Sequence, residues 1–254
     1  MRIEFWFVSA RSYQDGRTRV EGRVCRVLTE FKFNGLPPTN WYSDKDLNQW
    51  NGILFFGLLT GLDVGFRQLT SLPELHNLTS LTYLSVQNNK LTELPGLRNL
   101  TSLTHLCASN NELTELPELS SSLTFLTADN NKLSSLPELH SLTSLTHLYV
   151  QNNKLTELPE LHNLTSLTHL YVQNNNLTEL PELHSLTSLI YLFVQNNQLT
   201  ILPELPSFLI ILSVSCNKLT ELPELPSSLT FLHTNNNPLT PNEEERIMQI
   251  KRRL

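Results

Sequence analysis

From residue 59 to residue 240 the apolar positions recur on one period. The stretch from His147 to Leu155 shows it. Leu148, Val150 and Leu155 are apolar and repeat, whereas His147, Tyr149 and Gln151 change from copy to copy. Each copy reads Leu-x-x-Leu-x-Val/Ala/Thr-x-x-Asn-x-Leu and runs on into Thr/Ser-x-Leu-Pro-x-Leu. The first leucines are Leu59, Leu81, Leu103, Leu123, Leu145, Leu167, Leu189, Leu209 and Leu229, spaced by 20 or 22 residues. Nine units result, the first degenerate. Alternation of Leu148 and Val150 around Tyr149 predicts a short strand with two residues turned inward. One such strand cannot bury that pair alone. Rungs stacked ~4.8 Å apart bury a continuous column and form a parallel sheet, about 40 Å long over nine rungs.

The return path is predicted to be extended or 3₁₀-like, because Pro159 and its equivalents at 73, 95, 117, 137, 181, 203 and 223 forbid a regular helix. The shorter units lose residues in one place, around 120–122, 206–208 and 226–228, which marks the outer side. A second column is asparagine: 89, 111, 131, Asn153, 175, 197, 217 and 237, with Arg67 in the first unit. A buried amide there is expected to bond backbone groups of its own and neighbouring turns.

The ends read differently. Residues 1–58 are predicted to form an N-terminal cap. Residues 3–8 and 19–27 have strand composition, leaving open a hairpin-like cap or a basic tail over 1–33. Ser43 then starts a helix on which Trp50, Leu54, Phe55 and Leu58 share a face, suited to covering the open end of the array. Residues 241–254 are predicted to be a C-terminal capping helix. Pro241 follows Thr240, Glu243 to Glu245 occupy the first turns, and Lys251 to Arg253 the last. Its stripe of Ile247, Ile250 and Leu254 would close the last rung and is too short for a membrane-binding helix.

With its nine tandem matches, the region 59–240 resembles the leucine-rich repeat family. The Leu-Pro-Glu-Leu-Pro-Ser-Ser-Leu run at 222–229, nearly repeated at 202–209, is similar to the short-repeat bacterial class. That resemblance implies an α/β-type solenoid: a horseshoe with a parallel concave sheet, a 3₁₀ or extended convex side and terminal caps. It also implies a secreted effector of a Gram-negative pathogen, acting in the host cytoplasm without a signal peptide. Some members of the class carry a C-terminal ubiquitin-ligase domain with a catalytic cysteine. Only fourteen residues follow the array here, none of them Cys, so that activity is not expected. The resemblance does not extend to residues 1–58.

Charge sharpens the picture. Residues 59–240 carry six basic and fifteen acidic residues, net −9, so the array is not expected to hold nucleic acid. Glutamates before and after each Pro, such as Glu157 and Glu160, make the outer side acidic, which favours solubility. The cysteines Cys25, Cys107 and Cys216 are scattered and odd in number, consistent with reduced thiols. The apolar run in Met1 to Ala10 is too short for a secretory or membrane-spanning segment. Asn-Leu-Thr at Asn77, Asn99, Asn163 and Asn176 falls out of the repeat itself and is not read as a glycan site.

Function is expected on the variable face. The residues flanking the central leucine make three columns. The first holds Tyr83, His105, Phe125, His147, His169, Tyr191, Ile211 and Phe231. The second includes Tyr149, Tyr171, Phe193 and His233. The third includes Gln151, Gln173 and Gln195. Four of the eight histidines and seven of the seventeen Tyr and Phe residues lie in the first two columns. Water-facing strands ordinarily carry charged or small polar residues, and exposed aromatics are the usual anchors of interfaces.

These fifteen partner-binding candidates point to a monomeric, non-enzymatic module. It would bind a host protein or another bacterial effector, with inhibition by occlusion of an active site. A ligase adaptor recruited through residues 1–58, and a structural repeat without a partner, are the other readings. His147 and His169, with His105 two rungs away, have no carboxylate or Cys beside the pair for a metal. His105 and Cys107 lack an orienting third group for catalysis. No glycine-rich phosphate loop exists, and no cofactor or membrane is implied.

Overall fold

The computed structural model describes residues 4–8, 24–27, 59–72 and 74–253. The helix expected from Ser43 to Leu58 lies outside the described residues. Among those described, eleven strands form one sheet. They are β1 (Glu4–Val8), β2 (Val24–Val27), β3 (Leu59–Asp63), β4 (Tyr83–Ser85), β5 (His105–Cys107), β6 (Phe125–Thr127), β7 (His147–Tyr149), β8 (His169–Tyr171), β9 (Tyr191–Phe193), β10 (Ile211–Ser213) and β11 (Phe231–His233). From β3 to β11 each strand pairs in parallel with the next, in the order of the chain. At the β3 edge β1 pairs antiparallel with both β2 and β3, with Trp6 opposite Gly61.

The register never slips within the parallel part. Leu148 sits opposite Leu126 and Leu170, and His147 opposite Phe125 and His169. Register holds because a one-residue shift would turn the whole apolar set outward. In the unit led by Leu167, the residues Leu167, Leu170, Val172, Leu177, Leu183 and Leu186 are fully buried, and Leu180 is 8% exposed. Ala108 and Ala128 fill the valine place in two rungs and are also fully buried. The return path carries no helix among the described residues. It consists of extended segments and tight turns, such as Leu164 N–H to Leu161 O and Leu167 N–H to Leu164 O.

The asparagine column supplies the turn chemistry. Asn175 Nδ2 donates to Val172 O of its own rung at 3.0 Å and to Val150 O of the rung before at 3.1 Å. Its Oδ1 accepts from Leu155 N–H at 3.0 Å. The same set recurs at Asn111, Asn131, Asn153, Asn217 and Asn237. At the first unit Asn89 Oδ1 accepts from the backbone N–H of Arg67.

The residue before each of these asparagines takes a left-handed conformation. φ is 57° at Asn152, 58° at Asn174, 57° at Asn196 and 59° at Asn236. Asparagine tolerates this region better than other non-glycine residues. Cys216 occupies the same place at φ 56°. The exposed amides form a ladder, Asn196 to Asn174 at 2.8 Å, Asn174 to Asn152 at 2.7 Å and Asn152 to Asn130 at 2.9 Å.

Helix α1 (Pro241–Lys251) follows the last rung. Thr240 is its N-cap and accepts from Glu243 N–H at 3.3 Å. Glu243 is buried and does more than face the helix dipole. It accepts Leu222 N–H at 3.0 Å and pairs with Arg246 at 2.8 Å. Arg246 in turn donates to Leu222 O at 2.8 Å and Pro223 O at 3.2 Å. Ile247, 4% exposed, joins the leucine core. The helix thus bonds the backbone of the penultimate turn, which no further rung would satisfy.

The concave face as candidate functional site

Three-residue strands set the face. In β7 the middle residue Leu148 is buried and both neighbours are half-buried, and β6, β8 and β9 repeat the pattern. Planar rings at the rung spacing can lie flat against each other. His147 and His169 stack at 4.2 Å between centroids and 14° between planes. His169 and Tyr191 stack at 4.4 Å, and Tyr149 and Tyr171 at 4.6 Å. Phe193 closes the second column edge-on over Tyr171 at 4.6 Å and 68°. The first column continues through Phe125, His105 and Tyr83 at 5.3 to 6.4 Å. Ile211 interrupts it, beyond which Phe231 lies 43% exposed and 4.5 Å from the His233 ring. Each stacked pair contributes about 0.5–1.5 kcal/mol. The rings therefore support the array as well as facing the groove.

A threonine beneath each histidine fixes its proton. Thr146 Oγ1 donates to Thr124 O at 2.8 Å and lies 2.8 Å from His147 Nδ1. Thr168 repeats this with Thr146 O at 2.9 Å and His169 Nδ1 at 2.8 Å. Thr104 does so with Thr82 O at 3.0 Å and His105 Nδ1 at 2.9 Å. A hydroxyl has one proton, and a carbonyl can only accept it. With the hydroxyl proton on the carbonyl, Nδ1 carries the hydrogen and Nε2 is left a bare acceptor. Partial burial first, and then the imidazole of His105 for His147 and of His147 for His169, hold both below the usual histidine range. Both are neutral at neutral pH. Burial pushes the Tyr149 and Tyr171 hydroxyls up, so they too are neutral.

Gln151, Gln173 and Gln195 lie in the third column beside the rings. Their amide oxygens are enclosed and accept no hydrogen bond among the described residues. Asp129, in the same column, accepts from the Ser109 hydroxyl and the Asn130 amide. Asp63 accepts from Gly65 N–H. No lysine or arginine occurs in the three columns between 59 and 240.

The chemistry of a nucleophile is not assembled at Cys107. Burial first of all pushes its thiol up, and its hydrogen-bonding neighbours are Tyr83 and Thr127, not His105. Among the described residues no three His, Cys, Asp or Glu side chains come together as a metal site. No described helix is long and apolar enough to cross a membrane.

Sequence reasoning missed three contributors. The threonines were hidden because the carbonyl each one bonds lies 22 residues earlier. The Asn152 ladder was masked by its neighbour Asn153, and only the paired Asn-Asn dipeptide signals it. Unit eight departs from the hydroxyl pattern at Phe208, Ile210 and, one rung before, Ile190, where other units have Ser or Thr. Phe208 is 63% exposed and Ile210 36%.

The pattern described as "Leucine Rich repeats (2 copies)" matches residues 58–99, 79–121, 121–163 and 165–207. Among solved structures the chain is similar to the leucine-rich effector protein YopM from Yersinia pestis. The two are 45% identical, with a TM-score of 0.66, over 70% of this chain and 50% of that one. For YopM from Yersinia enterocolitica the identity is 40% and the TM-score 0.56, over 72% and 43%. For a Shigella effector LRR domain they are 27% and 0.56, over 76% of each. The chain thus spans half or less of the length of the two YopM structures. No curated protein matches it. The repeats, the parallel register and the asparagine column agree: the chain belongs to the leucine-rich repeat family.

Proposed function

We propose that the chain is a protein-binding solenoid whose concave face, centred on Tyr149, Tyr171 and Phe193, docks a protein partner. The observation that carries this is the pre-stacked ring surface. Its rings are held by their neighbours across the rungs, so little rotamer freedom is left to lose on binding. Around it lie His105, Phe125, His147, His169 and Tyr191, while Tyr83, Ile211, Phe231 and His233 extend the surface to both ends. Likeness to effector proteins of Yersinia and Shigella supports a secreted bacterial effector acting in the host cytoplasm. There it would bind a host protein or another effector and occlude its active site, without catalysing a reaction itself.

The test is a Tyr149→Ala, Tyr171→Ala double variant of the full chain, assayed for capture of partners from host and bacterial lysates. Capture should weaken by roughly 2 kcal/mol or more per anchor. The stacking lost lowers stability by about 1–3 kcal/mol, so circular dichroism must show the array still folded at the assay temperature. Undiminished capture by a folded variant refutes the concave reading.

A further inference from the structure

The donors that the groove itself offers are neutral hydroxyls and amides, and none is a cation. The Nε2 atoms of His147 and His169 are bare, both turned the same way round by identical threonine anchors, and their rings lie 4.2 Å apart. Parallel imidazole dipoles repel, and a shared donor at their Nε2 ends relieves that. Asp63 and Asp129 add two carboxylates, which accept from the Gly65 N–H and from the Ser109 hydroxyl and Asn130 amide. No cation stands in the three columns, and the array as a whole is net −9. Lys90, Lys132, Lys154 and Lys218 come after the Asn turn, outside the columns, and Lys132 is already paired with Glu112 at 2.8 Å.

From this we infer that the concave face takes an extended, arginine-bearing segment of its partner, whose guanidinium donors meet Nε2 of His147 and His169 and the carboxylate of Asp129. The inference deepens the proposed docking function and rests on it. Guanidinium suits the site because it is all donor, planar and permanently charged. Its parallel N–H bonds match two acceptors set side by side. A carboxylate-bearing or phosphorylated segment is excluded by the same lone pairs.

The probe is a labelled ten-residue peptide of alternating arginine and serine, titrated into the full chain at 150 mM salt and pH 7.5, with fluorescence anisotropy as readout. At that ionic strength attraction beyond about 8 Å is screened. A matched peptide with citrulline, the neutral isostere, should bind at least tenfold more weakly. The His147→Phe, His169→Phe variant keeps the ring stack and removes both acceptors, and it should lose at least tenfold. A Glu157→Gln, Glu179→Gln variant on the outer side should stay within twofold.

Equal binding of citrulline and arginine peptides overturns the inference. So does full binding by the double Phe variant, or a loss shared equally with the outer-side variant, which would mean general charge attraction. If neither peptide binds while the Tyr149→Ala, Tyr171→Ala pair still abolishes partner capture, the arginine assignment fails and concave docking stands. If the tyrosine pair leaves capture intact, both fail.

Discussion

Replacing Asn175 by Ala tests the physics of the array most directly. Asn175 is 6% exposed and holds one backbone N–H and two strong carbonyl contacts. Without it the Leu155 N–H is left buried and unbonded, which costs about 1–3 kcal/mol. The carbonyls suffer less. Val150 O keeps Asn153 Nδ2 at 3.0 Å, and Val172 O keeps Asn197 Nδ2 at 3.1 Å. Losing a second donor at each adds about 0.5–1 kcal/mol. The expected total is about 2–5 kcal/mol.

Asn237, half-buried in the last rung, should cost only about 1–2 kcal/mol on the same reasoning, because water can reach the groups it leaves. Urea unfolding followed by far-UV circular dichroism measures both. Hydrogen exchange at the Leu155 amide locates the defect, since repeat arrays also open unit by unit. A cost below 1 kcal/mol at Asn175, or an equal cost at Asn237, would refute the claim that these amides complete the buried turn.

Cys216→Asn should stabilise by about 0.5–1 kcal/mol, seen as a raised Tm, because φ is 56° there and Asn would bridge the surface amides of Asn196 and Asn236. Glu243→Ala should cost about 2 kcal/mol and loosen the final turn, since it frees Leu222 N–H and strips Arg246 of its partner; exchange at Leu222 checks this. The folded state holds the His147 and His169 imidazoles below their ordinary range, so the unfolded chain binds protons first as pH falls. Their contribution to stability should be intact above that range and fall as pH drops through it towards the depressed values. The double His→Phe variant should flatten that part of the pH profile in thermal melts. Thr146→Val should release the Nδ1 proton of His147, and ¹⁵N imidazole shifts should then show mixed tautomers.

The leucine and asparagine columns were legible because a solenoid maps period onto position: Leu148, Val150 and Asn153 could point nowhere else once rungs stack. The ring-bearing columns followed from the same alternation. Their mutual stacking did not, since spacing places His147 over His169 but says nothing about ring tilt. Gln151 read as a third-column residue of the variable face, whereas its amide oxygen is enclosed with no partner among the described residues. Glu243 read as a dipole charge, yet it is a buried clamp, because only packing reveals that the helix lies against the Leu222 backbone. The threonine to histidine relay escaped for a related reason: hydroxyl, carbonyl and imidazole come from two rungs.

Each asparagine serves its own rung and the one before it, and this governs how such an array can change length. Excising one whole unit, residues 167–188 for example, brings Asn197 onto the groups that Asn175 had bonded and leaves no amide or carbonyl stranded. The groove would shorten by ~4.8 Å while every surviving contact keeps its kind. A partial excision would strand a donor in the core. Length in this molecule is therefore quantised, and recombination between near-identical neighbours such as the units led by Leu145 and Leu167 can refit the groove to a longer or shorter segment in single steps.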